Sequence, residues 1–423
     1  MVYVISIDNK PLMPTKRHGK VRRLLREQKA KVVRREPFTI KLLYKPEIET
    51  VQDCTLGIDT GSKHIGAAVV SKGQILYTSE VEIKDDIKKK MDRRRGYRSN
   101  RRNRKTRYRK YRFLNRANSI KKGRYNPTLV SKFNSHVREI EFIKSILPIS
   151  KLVFEVGKFD THLMKNPSLN NPKIRPWGYQ KGINYGFANS REHALSRDGY
   201  TCQICGAKHI RLEVHHIKYR SQGGTNDLYN LITLCESCHK KIHAGKIVIN
   251  KKLKNLPNFS SATIMSILRS MLLKKYPTAI ETFGYITKEN RLNLNLPKEH
   301  FIDACIIATG GFNFSLPKEI FIKRHVTRGD YQLTKGSRSE KQIPQSKILG
   351  FRKWDKVRYL GETYFIKGRR SRGTCELEDI YGNKADFSHM PKGFKTPKLS
   401  NCERISARQT TLCQRIEYIP RAS

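Results

Sequence analysis

Acidic residues are scarce in this chain: 36 Asp and Glu stand against 86 Lys and Arg, a formal charge of +50 over 423 residues. A surface so charged repels itself unless a polyanion neutralises it, and nucleic acid is the expected partner, since each phosphate contacted releases counterions. Long apolar runs are missing as well. No stretch of 18 apolar residues occurs, and the opening MVYVISIDNKPLMP lacks the regions of a signal peptide. A membrane-spanning or secreted chain is therefore not expected, and a cytoplasmic one is. No internal repeat is evident, and the length suits roughly three domains of ~150 residues. In a reducing compartment the nine cysteines are not expected to pair as disulfides.

The cysteines that do show a pattern point to metal. Cys202/Cys205 and Cys235/Cys238 form two C-x2-C pairs, the form of a closed, structural zinc site with four thiolates. Cys54, Cys305, Cys375, Cys402 and Cys413 have no ligand spacing and read as small core or surface residues. Between the pairs, EVHHIKYRSQGG sets His215 and His216 side by side at the end of a short predicted strand. Strand side chains alternate faces, so the two converge only if a bulge or the strand end allows it. His239 and His243 stand four apart in the predicted helix CESCHKKIH and share a face. His215 could complete a three-histidine cation site with them, which leaves His216 free to take a proton from water.

Elsewhere, residues 1 to about 50 read as strand, turn, helix, strand, with the stiff PLMP as the turn. CTLGIDTGSKHIGAAVV reads as strand, turn, strand, and Asp59 within it reads by itself as a turn residue. Between Ile87 and Arg124 there are nineteen Lys or Arg, one acid (Asp92), interleaved aromatics and no proline. This composition predicts a long helix gripping nucleic acid through Arg93, Arg94, Arg95, Arg98, Arg101, Arg102, Arg104, Arg107, Tyr108, Arg109 and Arg112. Arg101, Arg104, Tyr108 and Arg112 recur at helical spacing along one stripe of it. ISKLVFEVGKF predicts a buried strand carrying Glu155, a carboxylate that is costly there unless it meets a cation or a donor. An amphipathic helix SSATIMSILRSMLLKKYP, a hairpin-like FGYITKENRLNLNL and a helix bearing His300 and Asp303 follow. From about 325 the pattern predicts a small basic β-barrel or sandwich. Asp59, Glu155 and Asp303, if they converge, would hold two Mg2+ ions ~3.5–4 Å apart for in-line phosphodiester hydrolysis. His300 reads on its own as a helix-surface histidine.

EVHHIKYRSQGGTNDLYNLITLCESCHKKIH resembles the ββα-metal motif of the HNH nucleases. The resemblance implies that His216 is the general base, that His215, His239 and His243 are metal ligands, and that Asn230 buttresses the loop between the strands. Some relatives carry Asp and Asn where this chain keeps imidazoles, so the ion here is expected to be softer than magnesium. GIDTGSKHIGAAVV, LVFEVGKF and HFIDACIIA resemble the three split motifs of a RuvC-like nuclease. With PLMP, the arginine-rich segment and an HNH module between the second and third motifs, the order is that of the IscB family, transposon-encoded RNA-guided nucleases related to the CRISPR effectors.

That resemblance implies an α/β multidomain protein: a split RNase H-like (RuvC) core, an inserted HNH domain, an arginine-rich bridge helix and a C-terminal β-rich domain. The boundaries expected are 1–54 for the PLMP domain, 55–86, 125–190 and 251–325 for the RuvC-like parts, 87–124 for the bridge helix, 191–250 for the HNH domain and 326–423 for the tail, which would read a motif beside the target. It implies Asp59, Glu155, Asp303 and His300 as the second catalytic set, with Mg2+ there, a divalent ion at the histidines and structural Zn2+. The partners implied are one structured guide RNA per protein and double-stranded DNA, with a nucleoid-associated location. The HNH site would cut the guide-paired strand and the RuvC-like site the displaced one. A guide-independent HNH nicking or homing nuclease and a non-catalytic RNA-binding protein of a transposon are the alternatives.

Overall fold

The computed structural model describes residues 1–47, 51–103, 125–182, 184–222, 224–249, 259–327, 347–391 and 393–419, without the side chains of 101–103 and 165. The chain divides into two compact units, Met1–Lys158 with Ala262–Ser423, and Phe159–Ser261. No helix among the described residues is long and apolar enough to cross a membrane.

The first unit opens with a four-stranded sheet in the order Pro11–Thr15, Val2–Ile5, Thr39–Leu42, Ala30–Arg34. PLMP is thus not the turn that the sequence suggests. Its prolines lie on an edge strand, where a missing N–H costs no ladder bond. The basic helix also stops at Arg26, and Ala30–Arg34 forms a strand of its own. Val2, Val4, Leu12, Val21 and Ile40 close this core, and the Tyr3 hydroxyl donates to the Leu76 carbonyl (2.9 Å), which ties it to the next sheet.

That sheet has seven strands, in the order Ile280–Thr282, Ile149–Glu155, Cys54–Thr60, His64–Ser71, Gln74–Glu82, Glu319–His325, Thr411–Glu417. The first three run parallel, as do Gln74–Glu82 and Glu319–His325, and the remaining pairs are antiparallel. Leu56, Ile58, Val69 and Phe154 point to one face, where they pack with Ile140 and Ile143 of the Pro127–Lys144 helix and Leu268 and Leu272 of the Ser260–Lys275 helix. The other face takes the apolar His300–Thr309 helix. Glycine makes that contact possible. A Cβ at Gly57 would strike the Ala304 carbonyl, and one at Gly66 the His300 carbonyl, so the helix lies closer to the strands than any larger residue permits.

FGYITKENRLNLNL is a helix over Gly284–Asn293 and not a hairpin. Thr287 and Arg291, one turn apart, are its buried face, and that period of four wins over the short alternation at its end. The C-terminal strands form an open antiparallel sheet, Cys375–Glu378, Glu362–Arg369, Lys356–Tyr359, Glu403–Ser406, instead of the expected barrel or sandwich. The last strand leaves it to pair with Glu319–His325 in the central sheet. Ile87–Asn103 is helical, with Arg93, Arg94, Arg95 and Arg98 exposed. The side chains of Arg101 and Arg102, and all of Arg104, Arg107, Tyr108, Arg109 and Arg112, lie outside the described residues.

The second unit is built on the antiparallel pair Leu212–His216 and Leu231–Cys235, followed directly by the helix Glu236–His243. Cys202, Ile232, Leu234, Cys238 and Ile242 are its core.

Candidate metal centres

Three groups of described residues bring ion-ligating atoms within 4.8 Å of one another: Cys202, Cys205, Cys235 and Cys238; His215, His239 and His243; and His64, Glu80 and His300. The four sulfurs form the site expected from their spacing. Cys235 caps the Glu236–His243 helix, with its Sγ accepting from the Cys238 N–H (3.4 Å), and Cys205 Sγ lies 3.7 Å away. Four clustered thiols in a small apolar core suit a closed tetrahedral zinc site.

The same helix turns His239 and His243 to a shared side, with their Nε2 atoms 3.1 Å apart. His215 completes the group, its ring centroid 5.0 Å from His239 and 5.1 Å from His243. Burial, with the neighbouring imidazoles adding to it, lowers His215 to about 4, so the ring is neutral and available as a ligand. Glu213 Oε2 lies 2.5 Å from His239 Nδ1 and so fixes the Nε2 of His239 toward the cluster.

No bulge brings His215 and His216 together. Their strand pairs in regular register, His215 with Ile232 and His216 with Leu231, so the rings leave on opposite faces. His216 Nε2 lies 2.9 Å from Asn226 Oδ1, which also accepts from Arg220 Nη2 (2.8 Å). That second donor identifies the Asn226 atom as oxygen, so Nε2 of His216 carries the proton and Nδ1 holds the free lone pair. Asn230 is buried and accepts from the Lys218 N–H (2.8 Å) while donating to the Thr225 carbonyl (2.7 Å) and the Lys218 carbonyl (3.1 Å). It ties Lys218, at the start of the loop between the strands, to the loop's far end.

In the first unit, strand register builds a row that no linear spacing reveals. Glu155, Asp59, Gly66 and Glu80 are successive partners across four strands, and partners share a face. The His300–Thr309 helix begins over this row. His300 Nδ1 lies 2.6 Å from Asp59 Oδ2, a bond that raises the imidazole's pKa. Asp303, one turn on, accepts from Arg291 Nη1 through both oxygens (2.7 and 3.1 Å). Glu155 Oε2 is buried with no hydrogen-bond partner. Burial above all, then the charges of Asp59 and Asp303, pushes Glu155 up to about 7. Asp59, Glu155 and Asp303 thus feel one another electrostatically, although Arg291 and His300 occupy two of them and the three do not form a compact ligating set. Sequence reading missed Arg291, Thr287, Asn226, Glu213, Glu80 and His64. Only the period of four between Thr287 and Arg291 was there to find.

Comparison with known proteins bears on both units. A family model described as HNH endonuclease matches residues 202–245, the segment that holds the cysteines, His215, His216, Asn230 and the helix with His239 and His243. Residues 202–245 are thus an HNH endonuclease domain. A second family model, RRXRR protein, matches residues 2–182. Anaredoxin of a Nostoc species is 32% identical over 66 residues, 16% of this chain and 87% of that protein. The COX1/OXI3 intron 2 protein of Saccharomyces cerevisiae is 31% identical over 119 residues, 23% of this chain but 14% of that one. The crystal structure of Streptococcus thermophilus Cas9 in complex with AGGA PAM aligns with a TM-score of 0.34 and 13% identity, over 57% of this chain and 32% of that one.

Proposed function

We propose that this chain is an RNA-guided DNA endonuclease of the IscB type, with the histidine centre cutting the guide-paired strand and the Asp59 centre cutting the displaced strand. The observation that carries the reading is Glu155 beside Asp59 on adjacent parallel strands, with a buried and unpartnered Oε2, in a unit separate from the HNH segment. A buried carboxylate oxygen without a donor fits a cation. An HNH enzyme working alone has no use for this second row of acids. The RRXRR match, the +50 charge and the exposed arginines of the Ile87–Asn103 helix favour a large nucleic-acid partner. The guide RNA itself is inferred from the order of motifs.

Asp59 and Glu155, with Asp303 once it leaves Arg291, would hold Mg2+, and hard oxygen ligands suit that ion. His215, His239 and His243 would hold a softer divalent ion, and the four cysteines zinc. When bound at either cutting centre, a divalent ion supplies Lewis-acid stabilisation of the scissile phosphate. His216 Nδ1 takes the proton from the attacking water, because Asn226 holds the proton already on the ring at Nε2. His300, held by Asp59, is the proton-carrying group of the second centre.

The test is purification from cells expressing the native locus, sequencing of bound RNA, and challenge of the complex with guide-matched DNA in a randomised flank, both strands labelled. One discrete RNA in equal amount and a cut in each strand are expected. Cutting of unmatched DNA without RNA would make the chain a guide-independent HNH enzyme, and matched DNA bound but left whole would make it a non-catalytic RNA-binding protein.

A further inference from the structure

Residues 161–191 hold five Lys or Arg and no acid. Within them, in the unit that carries the histidine centre, Trp177 and Tyr185 keep 50% and 63% of their surface exposed. Lys181 stands between the two rings. Its Nζ lies 4.9 Å from the Trp177 ring centroid and 5.0 Å from that of Tyr185, so the ammonium faces two π-systems. Turns set this order: the Gln180 N–H donates to the Trp177 carbonyl (3.1 Å), and the Tyr185 N–H to the Gly182 carbonyl (2.8 Å).

Both ends of this loop are anchored. At Trp177, the next residue Gly178 leaves room for Leu169, whose Cδ2 a Cβ there would strike, and the Tyr179 hydroxyl donates to the Asp160 carboxylate. Beyond Tyr185, Phe187 stacks on His193, centroids 4.2 Å apart and planes at 8°, and Asn184 Nδ2 donates to Ser190 Oγ (2.9 Å). Ser190 and His193 belong to the Ser190–Arg197 helix, whose Arg197 donates to the carbonyl of Leu231 (2.9 Å), the strand partner of His216. Rings held in this way lose little freedom on binding. Bases in a duplex cover one another's faces, whereas unpaired bases present them, so exposed rings beside a cation select single strands with little regard to sequence. A segment without acids suits the phosphates that those bases bring.

We propose that Trp177 and Tyr185 stack unpaired bases of a single strand, DNA or RNA, while Lys181 turns from the rings to the phosphate between those bases. This binding needs no guide. The test takes the full chain, freed of nucleic acid in high salt, with oligothymidylate, oligouridylate and a blunt DNA duplex as probes. The chain has two tryptophans, so the difference between wild-type emission and that of Trp177→Phe isolates Trp177. Both single strands should quench this signal and the duplex should not, and quenching by one strand alone supports the platform and names its sugar. No quenching by either strand, or equal quenching by the duplex, overturns it. Tyr185→Ala should raise the midpoint of quenching by about fivefold or more, with Tyr185→Phe restoring it, and an unmoved midpoint in the alanine variant also overturns the proposal. Lys181→Met should lower the slope of log affinity against log salt by about 0.7, the share of one phosphate on a single strand, and an unchanged slope strikes the lysine's part.

Discussion

Arg291 clasps Asp303 through both carboxylate oxygens, at 2.7 and 3.1 Å, where both side chains are about nine-tenths buried. One proposed magnesium ligand therefore already has a cation, in the form of a guanidinium. An ion that recruits Asp303 has to displace Arg291, and the pair is a catch holding the centre partly assembled.

Arg291→Met leaves that carboxylate buried and unpaired. A loss of about 3 kcal/mol is expected without added magnesium, and much of it should return in millimolar Mg2+. Thermal melts with and without the ion check this, and a melting point that Mg2+ leaves unmoved contradicts it.

His216→Ala should slow cutting of the guide-paired strand by roughly 10²–10⁴ and leave the other nick intact. Asp59→Ala should do the reverse. Strand-labelled substrates separate the two, and loss of both cuts from either change, with DNA still bound, would rule out independent centres.

Asn226→Ala frees the His216 ring to flip and change tautomer. Cleavage at the histidine centre is expected to fall about 10–100-fold with metal content unchanged, the size of effect seen when an orienting group is lost. Asn230→Ala should instead cost about 3 kcal/mol in stability, because three backbone groups lose the side chain they bond.

Two titrations in the first unit push stability the same way. The Glu155 carboxyl, raised to about 7, binds a proton more tightly folded than unfolded, so stability declines from about pH 4.5 to 7 and levels above. After screening, that decline is about 2 kcal/mol. His300, raised by Asp59, adds stability that is complete below the unfolded histidine pKa and is lost as pH rises through its folded value. In buffer without added Mg2+, Glu155→Gln should flatten the acidic part of the stability curve and His300→Gln the neutral part. Unchanged slopes in denaturant titrations would place the protons elsewhere.

Cys238→Ser opens the four-thiolate site. Zinc release and melting of the Phe159–Ser261 unit are expected, with the displaced-strand nick surviving, as read by zinc assay and a two-step unfolding curve.

The histidine centre was legible because its parts are close in sequence: two C-x2-C pairs, adjacent imidazoles and a four-residue helical period specify a local hairpin and helix. Asp59, Glu155 and Asp303 were individually visible as polar residues at the ends of apolar elements. Their neighbourhood was not, because it depends on which strands pair and in what register, and a shift of one residue would turn Asp59 to the other face. Arg291 was hidden by the alternation in RLNLNL, which imitates a strand. PLMP misled for the opposite reason: proline looks like a turn until the strand is known to be an edge.

The strand Thr411–Glu417 borders Glu319–His325 at the rim of the sheet that carries Asp59 and Glu155. During synthesis the ribosome must therefore deliver more than 400 residues before that rim is covered. Until then a row of backbone donors and acceptors stands open to any passing strand, so release of a chain stopped near residue 400 should yield aggregates more readily than a weakened enzyme.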